Sequence, residues 1–464
     1  MIDRFARIAF ILGLVGLAFL WGAATVRWKL PPYRILNRVE AGIVAITKFE
    51  DSSLPNHVIR VVDDDTPVGA VQTLTDTPAD DLILMTGGFF YRMDLCPKFG
   101  CIAWIMDRSG KVLHTWEYDP AVLFTRESLK GFSGFPGADN INVLGAALSP
   151  DGGLVVTFQG RNIFPYQVGV GKFAWSGALE WLRINRAHHW PSIGPDGRIY
   201  VSTARIQKGK GTIAATSEPV DCTFGAVFQD GVAILSPDGQ TLKEFWMEDV
   251  VQSSDSQALA YSVRDDCDPF HVNSITLLNA AGAARLPGTR VGDLVVSLRS
   301  SSSVVVMDQD DSTIRHIIYG PMVAQHSPQV LPDGDIVVFD NLGGLDTTNG
   351  TRILQVDPVS GDGTTVFPRN ADDVGGDLKS IAQGVIRITP DGARGLISES
   401  LAGRVIEFDM VTGKPLWTYS AVSDMAPFYA WKGTPKDAPV PALMQTQGAD
   451  FISREAFGRL NTGG

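Results

Sequence analysis

A Pro-Asp-Gly turn followed by a short apolar strand recurs along the chain and constrains its fold more than any other feature. The unit occupies residues 149–158, 194–203, 236–245, 331–340 and 389–398. A second unit, made of a strand, an Asp, a turn and another strand, occupies residues 102–119, 302–320, 351–367 and 403–420, with Gly in the turn of all but the one at 302–320. Because Asp-Gly tolerates positive φ and the flanking runs are rich in Val, Ile, Phe and Trp, each unit is typical of a β-hairpin.

These hairpins predict an all-β fold. A single hairpin has no partner for its apolar face, whereas several hairpins stacked radially around an axis cover one another. Where the repeat is clearest its spacing is about forty-odd residues, the length of a four-stranded propeller blade. The sequence after residue 80 therefore predicts five or six blades of a β-propeller, without long helical segments between them.

Residues 8–26 form an uncharged apolar stretch between Arg7 and Arg27. Its length is close to the roughly 20 residues needed to cross a bilayer, and it exceeds the apolar region of a typical cleaved signal. We expect an uncleaved signal anchor, with a cleaved export signal as the alternative. The predicted organisation is a signal-anchor or transmembrane helix over 1–30, a connector over 31–78 and a β-propeller over 79–464, with an irregular tail from about residue 440.

Charge and cysteine content limit the partners and the compartment. The net charge of −12 argues against nucleic acid as a partner. Basic residues flank both sides of the apolar stretch, and their number alone favours a cytoplasmic domain. Cys96 and Cys101, however, share a tight loop as free thiols or as a disulfide, and a disulfide fits an oxidising compartment. Cys222 and Cys267 are a second candidate pair, and the connectivity stays open.

The chain has seven histidines, and four of them stand in related contexts. His188 and His189 precede one Pro-Asp-Gly turn with its strand, and His326 precedes another. His271 stands in the segment DCDPFHVNSI, just ahead of an apolar run. Equivalent points on different blades face the same mouth of a propeller channel, so these histidines are predicted to form one site.

Arg299 is a further candidate for this site. It follows the apolar run DLVVSL and precedes a Ser run and another strand. Arg is seldom buried unless it is paired or functional. The alternative role is a cap on a turn at a blade edge.

Several segments together resemble one enzyme family. Over about residues 80 to 420 the chain resembles the bacterial arylsulfate sulfotransferases that use no nucleotide donor. The resemblance depends on four segments in this order: HHW with its following PDG, DPFHVNSI, VSLRSSS and QHSPQVLPDGDIVVFDN. The resemblance implies a six-bladed propeller in the periplasm, either anchored in the inner membrane or secreted. It implies transfer of a sulfuryl group from an aryl sulfate ester to a phenolic acceptor, by a ping-pong route through a sulfohistidine.

The resemblance also assigns roles to single residues. The family's histidine after Gln carries the sulfuryl group, and here it is His326. Catalytic roles are implied for His326, His271, Arg299 and His189, and substrate contacts are expected from Asn273, His188 and Phe270, with Trp190 and Phe164 as further aromatic candidates. No cofactor and no metal are expected, and no second cysteine or histidine pair stands at zinc spacing.

The chemistry suits these residue types. A neutral imidazole is a nitrogen nucleophile near pH 7, and a cationic Arg or imidazolium can stabilise sulfuryl oxygens. A phenol of pKa about 10 leaves more readily with a general acid. Whether His189 or His271 is that acid stays open.

Two other functions stay open as alternatives. One is a non-enzymatic exported propeller that binds a ligand or holds partners together, although such a protein has no need of three histidines and an arginine at one mouth. The other is a quinoprotein-like propeller, because TGKPLWTY at 412–419 resembles the tryptophan docking motif of quinoprotein blades. A set of metal-binding carboxylates for a quinone is not identifiable, and Trp417 is expected to pack between blades.

Overall fold

The computed structural model describes residues 2–28, 30–31, 57–63, 65–76, 79–134, 137, 140–208, 211–212, 219–220, 222, 226–263, 267–344, 350–370, 373, 378–433 and 441–461. The chain divides into two compact units, Met1–His57 and Val58–Gly464. Residues 32–56, most of the predicted connector, lie outside the described residues.

The first unit contains the predicted N-terminal helix. Helix α1 runs from Ile2 to Trp28, and its stretch Arg4–Thr25 reaches a mean hydropathy of 2.1. By length and composition this helix can cross a membrane, and a signal sequence passes the same criterion.

The second unit is all-β, as predicted, and most of its strands form antiparallel sheets of four or five strands, numbered here in chain order. Sheet 1 contains β3 (Leu82–Thr86), β4 (Cys101–Met106), β5 (Val112–Glu117) and β32 (Ala449–Ile452). Sheet 2 contains β7 (Ile141–Leu148), β8 (Leu154–Gly160), β10 (Gln167–Phe173) and β11 (Leu179–Arg183). Sheet 3 contains β12 (His188–Ile193), β13 (Ile199–Lys208), β16 (Ala226–Leu235) and β17 (Thr241–Trp246).

The next three sheets follow the same plan. Sheet 4 contains β18 (Val272–Leu277), β19 (Leu294–Leu298), β20 (Ser303–Met307) and β21 (Ile314–Tyr319). Sheet 5 contains β22 (His326–Val330), β23 (Ile336–Gly344), β24 (Gly350–Val356) and β25 (Gly363–Phe367). Sheet 6 contains β26 (Val385–Ile388), β27 (Arg394–Glu399), β28 (Arg404–Asp409), β29 (Pro415–Ser420) and β2 (Val71–Thr73).

The remaining elements connect or cover these sheets. A three-stranded sheet joins β1 (Val58–Val61), β30 (Val422–Asp424) and β31 (Pro441–Met444), and two short ribbons pair β6 (Ser133–Gly134) with β9 (Ile163–Phe164) and β14 (Gly211–Thr212) with β15 (Pro219–Val220). The short helices are α2 (Pro120–Leu123), α3 (Met247–Gln252), α4 (Ala258–Tyr261), α5 (Ala280–Arg285), α6 (Ala426–Lys432), α7 (Arg454–Asn461) and a 3-10 turn at Ser400–Ala402.

The two sequence repeats correspond to two different hairpins of a sheet. In sheets 2, 3, 5 and 6 a Pro-Asp-Gly turn joins the first strand to the second, and the second repeat forms the hairpin of the last two consecutive strands in sheets 1, 4, 5 and 6. The unit at 236–245 differs, because its turn joins β16 to β17, the third and fourth strands of sheet 3. The turn glycines have the expected positive φ; Gly334, at 89°, has no room for a side chain, since a Cβ there would lie 2.9 Å from the backbone of Ala281.

The core lies between the sheets, so a strand buries both of its faces. In β19, Val296 packs in the apolar cluster shared with sheet 3, and its neighbour Val295 packs in the cluster shared with sheet 5. In β23, Val338 and Val337 divide in the same way between sheets 4 and 6. Since successive side chains of a strand point to opposite faces, this packing explains why these strands are continuous apolar runs.

The expectation of an irregular tail is wrong. Beyond residue 440 the chain forms β31, β32 and α7, and β32 pairs with β3, with Leu82 opposite Ile452. At the other end of the unit, β2 pairs with β29. Both strands are short and pair with partners hundreds of residues away, so local periodicity gives little sign of them.

Candidate active site

The four related histidines and Arg299 lie at the same end of sheets 3, 4 and 5. His188 and His189 open β12, His271 immediately precedes β18, and His326 opens β22, so all four stand at the start of a first strand. Arg299 lies in the turn from β19 to β20, where its backbone N–H donates to the carbonyl of His271 at 3.2 Å. The structure thus brings together the residues whose positions repeat in the sequence.

Backbone irregularities direct these side chains. A register shift follows the start of each of the three strands, between His188 and Ser192, between Val272 and Ser274, and between His326 and Gln329. His189 and His271 have φ angles of 57° and 47°, which are uncommon for residues other than glycine. A bulge or a positive φ turns a side chain out of the regular alternation, and such features concentrate at functional sites.

The rings of His189, His271 and His326 form one cluster. The ring centre of His189 lies 5.2 Å from that of His271 and 6.0 Å from that of His326. Ring nitrogens of the three residues lie within 4.8 Å of one another. The positive charge of Arg299 disfavours the protonated form of all three imidazoles, so Arg299 acts electrostatically on the whole cluster.

His326 is buried and uncharged at neutral pH. Its side chain is 1% exposed, and Nδ1 lies 2.6 Å from Oδ1 of Asn341. Burial lowers the pKa of His326 to about 3; hydrogen bonds to Asn341 and to the backbone of Ala324 oppose this change, and the charges of His271 and Arg299 add to it. A neutral ring with its proton on Nδ1 carries a free lone pair on Nε2.

His271 has the opposite tendency. Its Nδ1 lies 2.5 Å from Oδ2 of Asp268, and 19% of its side chain is exposed. Burial disfavours the charged ring, but the carboxylate of Asp268, helped by that of Asp230, outweighs burial and raises the pKa of His271. Two neighbouring histidines with pKa values pushed apart are a common arrangement for acid–base and nucleophilic roles.

His189 and His188 are both buried but have different contacts. Nδ1 of His189 has no hydrogen-bond partner among the described residues, and burial, together with the charges of the neighbouring histidines, holds its pKa well below the usual value. Nε2 of His188 lies 3.2 Å from Oδ2 of Asp230, and its ring centre lies 4.8 Å from that of His189. His188 therefore packs against the cluster through His189.

The other predicted contact residues have structural partners. Asn273 is fully buried, and its Nδ2 donates at 2.7 Å to the carbonyl of Gln325, the residue before His326. Phe270 is 1% exposed and lies in the apolar cluster between sheets 3 and 4. Contact of these two residues, or of His188, with a substrate stays a prediction.

The aromatic candidates differ in their distance from the histidines. The ring centre of Trp190 lies 6.1 Å from that of His326, and its Nε1 donates to the carbonyl of Gln447 at 2.6 Å. Phe164 packs against Phe228, with ring centres 5.7 Å apart. Of these two candidates, Trp190 is therefore the one that borders the cluster.

Trp417 lies in β29 and is 2% exposed. Its Nε1 donates to the carbonyl of Arg108 at 2.9 Å, and the guanidinium of Arg108 lies 5.5 Å from the ring centre. Because Arg108 belongs to the β4–β5 turn of sheet 1, Trp417 packs between two sheets, as expected for a structural residue.

Both cysteine pairs are bonded in the structure, Cys96 with Cys101 and Cys222 with Cys267. The second disulfide bears on the site, because Cys267 immediately precedes Asp268, the partner of His271. The bond thus fixes the segment that supplies this carboxylate.

Three partners of the histidines were not predicted from the sequence. Asp268 and Asn341 lie within the DCDPFH and VFDN segments. These segments indicated the site, but the sequence did not indicate that the two residues contact the histidines. Asp230 lies on β16, where nothing in the local pattern separates it from a turn or strand aspartate.

Three imidazoles this close together can also hold a transition-metal ion. The charges nearby disfavour such a cation, because the guanidinium of Arg299 and the readily protonated His271 repel it. The same two groups favour a small anion beside the rings.

A separate cavity of about 980 Å³ lies among the opposite ends of the first strands, with a lining that includes Ser192, Thr276, Gln329, Arg387 and Asp450. None of the four predicted catalytic residues lines it. Since its charges are largely paired with one another, as Arg387 is with Asp450 at 3.4 Å, we place the candidate site at the histidine cluster.

Comparison with known proteins gives a family match. The profile of the arylsulfotransferase (ASST) family matches residues 186–421, just over half of the chain, and this range contains all four histidines of the related contexts and Arg299. A search of the curated proteins finds no match.

Solved structures with a similar chain path are distant in sequence. A protein of unknown function from Bacteroides caccae is 13% identical, with 81% of this chain and 99% of that chain covered and a TM-score of 0.44. A virginiamycin B lyase from Staphylococcus aureus is 12% identical, with coverages of 62% and 72% and a TM-score of 0.34. A streptogramin B lyase is 11% identical, with coverages of 75% and 86% and a TM-score of 0.38. Similarities this low carry no information about function.

Proposed function

The chain belongs to the arylsulfotransferase family, and we propose from this premise that it transfers a sulfuryl group from an aryl sulfate ester to a phenolic acceptor through a sulfohistidine on His326. The observation that carries the proposal is the contrast between two adjacent histidines. His326 is neutral, because its pKa is lowered to about 3. The pKa of His271 is raised, so it binds a proton more readily than a free imidazole does. A nucleophile and an acid therefore stand side by side with Arg299.

In the first step, the lone pair of His326 Nε2 attacks the sulfur of the donor, and the bond between sulfur and the aryl oxygen breaks. The leaving phenolate takes the proton of His271, so a phenol departs and His271 becomes neutral. The products are free phenol and a sulfuryl group on His326. General acid assistance of this kind contributes about 10²–10⁴-fold for a poor leaving group.

In the second step, the hydroxyl of the acceptor phenol gives its proton to the neutral His271, and its oxygen attacks the sulfur. The bond between nitrogen and sulfur breaks, and its electron pair returns to Nε2. The net reaction exchanges the sulfuryl group between two phenols, and both histidines regain their starting state. Splitting one transfer into two displacements is the general advantage of covalent catalysis.

Arg299 has the role of stabilising the sulfuryl oxygens in both steps. Its guanidinium is a permanent positive charge whose field reaches the three rings, and such cations stabilise transferring phosphoryl groups. His189, with its pKa held low, is suited to donate or accept a hydrogen bond as a neutral ring rather than to carry a charge.

For the architecture, we propose that sheets 1 to 6 close into a six-bladed propeller over residues 79–464, with β2 of the preceding connector added as an edge strand of sheet 6. Contacts of β26 with β32 and of β3 with β7 support closure, because sheets 6 and 2 then both pack against sheet 1. Residues 1–30 are proposed as the membrane anchor or signal and 31–78 as the connector, with the propeller in the periplasm. Helix α1 supports a membrane attachment by its length and composition.

The test uses the full chain in detergent with 4-nitrophenyl sulfate, with and without phenol. We expect phenol-dependent release of nitrophenolate and, without phenol, one sulfuryl adduct on the peptide that contains His326, as measured by mass spectrometry. His326→Gln is expected to abolish both. His316→Gln is the matched control, because His316 lies on β21, outside the cluster, with its Nε2 on the carbonyl of Pro287. Absence of phenol-dependent release and of any adduct across several donors contradicts the proposal.

A further inference from the structure

Asn341 joins His326 to a different part of the chain. It lies in β23 and is fully buried. Its Oδ1 accepts a hydrogen bond from Nδ1 of His326 at 2.6 Å, and its Nδ2 donates to the carbonyls of Ser380 and Gln383, the latter at 2.6 Å. Oxygen and nitrogen of the amide are therefore engaged with separate segments, one in sheet 5 and one leading into sheet 6.

These contacts decide which way the amide points. With the amide reversed, Oδ1 would face two carbonyl oxygens, and a buried cluster of acceptors without a proton is strongly unfavourable. Nδ2 must therefore face Ser380 and Gln383, and Oδ1 must face His326. An amide oxygen only accepts, so Nδ1 of His326 carries a proton, and in the neutral ring the lone pair is on Nε2.

The backbone around Asn341 holds the amide in place. The backbone carbonyl of Asn341 accepts a hydrogen bond from Thr351 Oγ1 at 3.1 Å. Thr351 Oγ1 in turn accepts one from the backbone N–H of Ser380 at 2.7 Å. Gln383 has a φ of 65°, a conformation that persists when surrounding contacts fix it. Sheet 5 and the segment before β26 thus form one rigid support for the ring of His326.

We propose that Asn341 is a positioning residue for sulfuryl transfer, which keeps His326 in the tautomer protonated on Nδ1 and leaves Nε2 for attack on sulfur. The reaction part of this inference rests on the proposed function, whereas the tautomer follows from the contacts. A neutral amide suits the role, because it orients the ring without the negative charge that would favour an imidazolium. His271 shows the contrast, since its Nδ1 faces the carboxylate of Asp268.

The charged and titratable groups around His326 are consistent with this role. His271, from the start of β18, and Arg299, from the β19–β20 turn, act on His326 and oppose its protonation. His189, from β12, has its ring centre 6.0 Å away. A carboxylate in place of the Asn341 amide would add a negative charge, which these neighbours do not supply and which would favour protonation of His326.

The first test measures the tautomer without any turnover. Full-length protein labelled with ¹⁵N-histidine is studied by long-range ¹H–¹⁵N NMR at pH 7, with the His326 signals assigned by comparison with His326→Gln. We expect a protonated Nδ1 and an unprotonated Nε2. A proton on Nε2, or an imidazolium, overturns the inference. If the tautomer is as expected but the wild-type protein transfers no sulfuryl group, only the proposed function fails.

The second test uses matched variants. Asn341→Leu is expected to mix the two tautomers of His326 and to lower kcat by about 100-fold or more with little change in KM, since a wrongly protonated histidine costs a catalytic triad about 10⁴-fold. Asn279→Leu is the control, because Asn279 Nδ2 also donates to two carbonyls, those of Val330 and Leu331, at the other end of β22. If the two variants, compared at equal folded fraction, have the same kcat and the same tautomer, Asn341 has no positioning role.

Asn341→Asp gives an independent readout, because it changes charge at nearly constant size. The new carboxylate favours protonation of His326, so the acidic limb of the kcat–pH profile is expected to move to higher pH. A merely structural role leaves that limb in place, and an unmoved limb in a folded variant counts against the proposal.

Discussion

Nδ1 of His271 lies 2.5 Å from Oδ2 of Asp268, three residues earlier in the chain, and this contact gives His271 a protonation tendency opposite to that of His326. The carboxylate acts on one imidazole, while the other has an amide partner. Two rings of the same chemical type can therefore perform different tasks within one small site.

Asp268→Asn removes the charge that raises the pKa of His271. Activity that needs protonated His271 is lost as pH rises through its pKa, so we expect the basic limb of the kcat/KM profile to move to lower pH. At neutral pH the loss should be about 10²–10⁴-fold for a donor with a poor leaving group and smaller for 4-nitrophenyl sulfate. The measurement is a pH profile of kcat/KM with 4-nitrophenyl sulfate and with an aryl sulfate that has a poorer leaving group. An equal loss of kcat/KM for the two donors would show that Asp268 does not act through a general acid.

We expect acid to destabilise the fold through His326. The unfolded histidine binds a proton below about pH 6.5, whereas folded His326 does not until about pH 3, so stability falls as pH falls through this window. The cost is about 1.4 kcal/mol per pH unit, or about 2 kcal/mol at pH 5. His326→Gln should lose correspondingly less stability between pH 7 and pH 5 in denaturant unfolding. Parallel losses in the two proteins would contradict this account.

Arg299→Lys keeps a positive charge but replaces the planar guanidinium. Because a guanidinium can contact two oxygens at once, we expect kcat/KM to fall by about 10²-fold or more for every donor. Arg315→Lys serves as the control, since Arg315 lies on β21 and pairs with Asp308 at 2.9 Å. Steady-state rates with several aryl sulfates test this, and similar rates for the two variants would remove Arg299 from the site.

Glu407 connects sheets 6 and 1. Its side chain is 3% exposed and pairs with Arg108, 9% exposed, at 2.5 Å, and also with Arg394. Glu407→Gln leaves two arginines with Asp81 as their remaining carboxylate, so we expect a loss of about 3 kcal/mol. Glu455→Gln breaks an exposed pair with Arg459 and should change the free energy of unfolding by less than about 0.5 kcal/mol. Equal effects of the two substitutions would rule out a stabilising network.

The all-β fold and the grouping of the histidines were predictable, because both depend on local order. Asp-Gly turns and apolar runs define hairpins, and a repeat converts distant histidines into equivalent strand starts. The pairing of β32 with β3 was not predictable in this way, since neither its length nor its pattern separates it from a loop.

The partners of the histidines mark a second limit. Asn341 reaches His326 only because β22 and β23 are neighbours, and its amide orientation depends on Ser380 and Gln383 from the next connection. Asp230 reaches His188 across 42 residues. Such contacts follow from the approach of separate segments, which periodicity does not encode.

The first strands of sheets 3 and 5 hold the candidate site residues at one end and the hairpin turn at the other. In β12 and β22 the histidines stand at one end, and the Pro-Asp-Gly turn that starts the next strand follows the other end. Substitutions at the histidine end can therefore alter reactivity while the turns that specify the hairpins stay intact. The same scaffold is accordingly open to redesign, with new side chains installed a strand's length away from the turns that specify the hairpins.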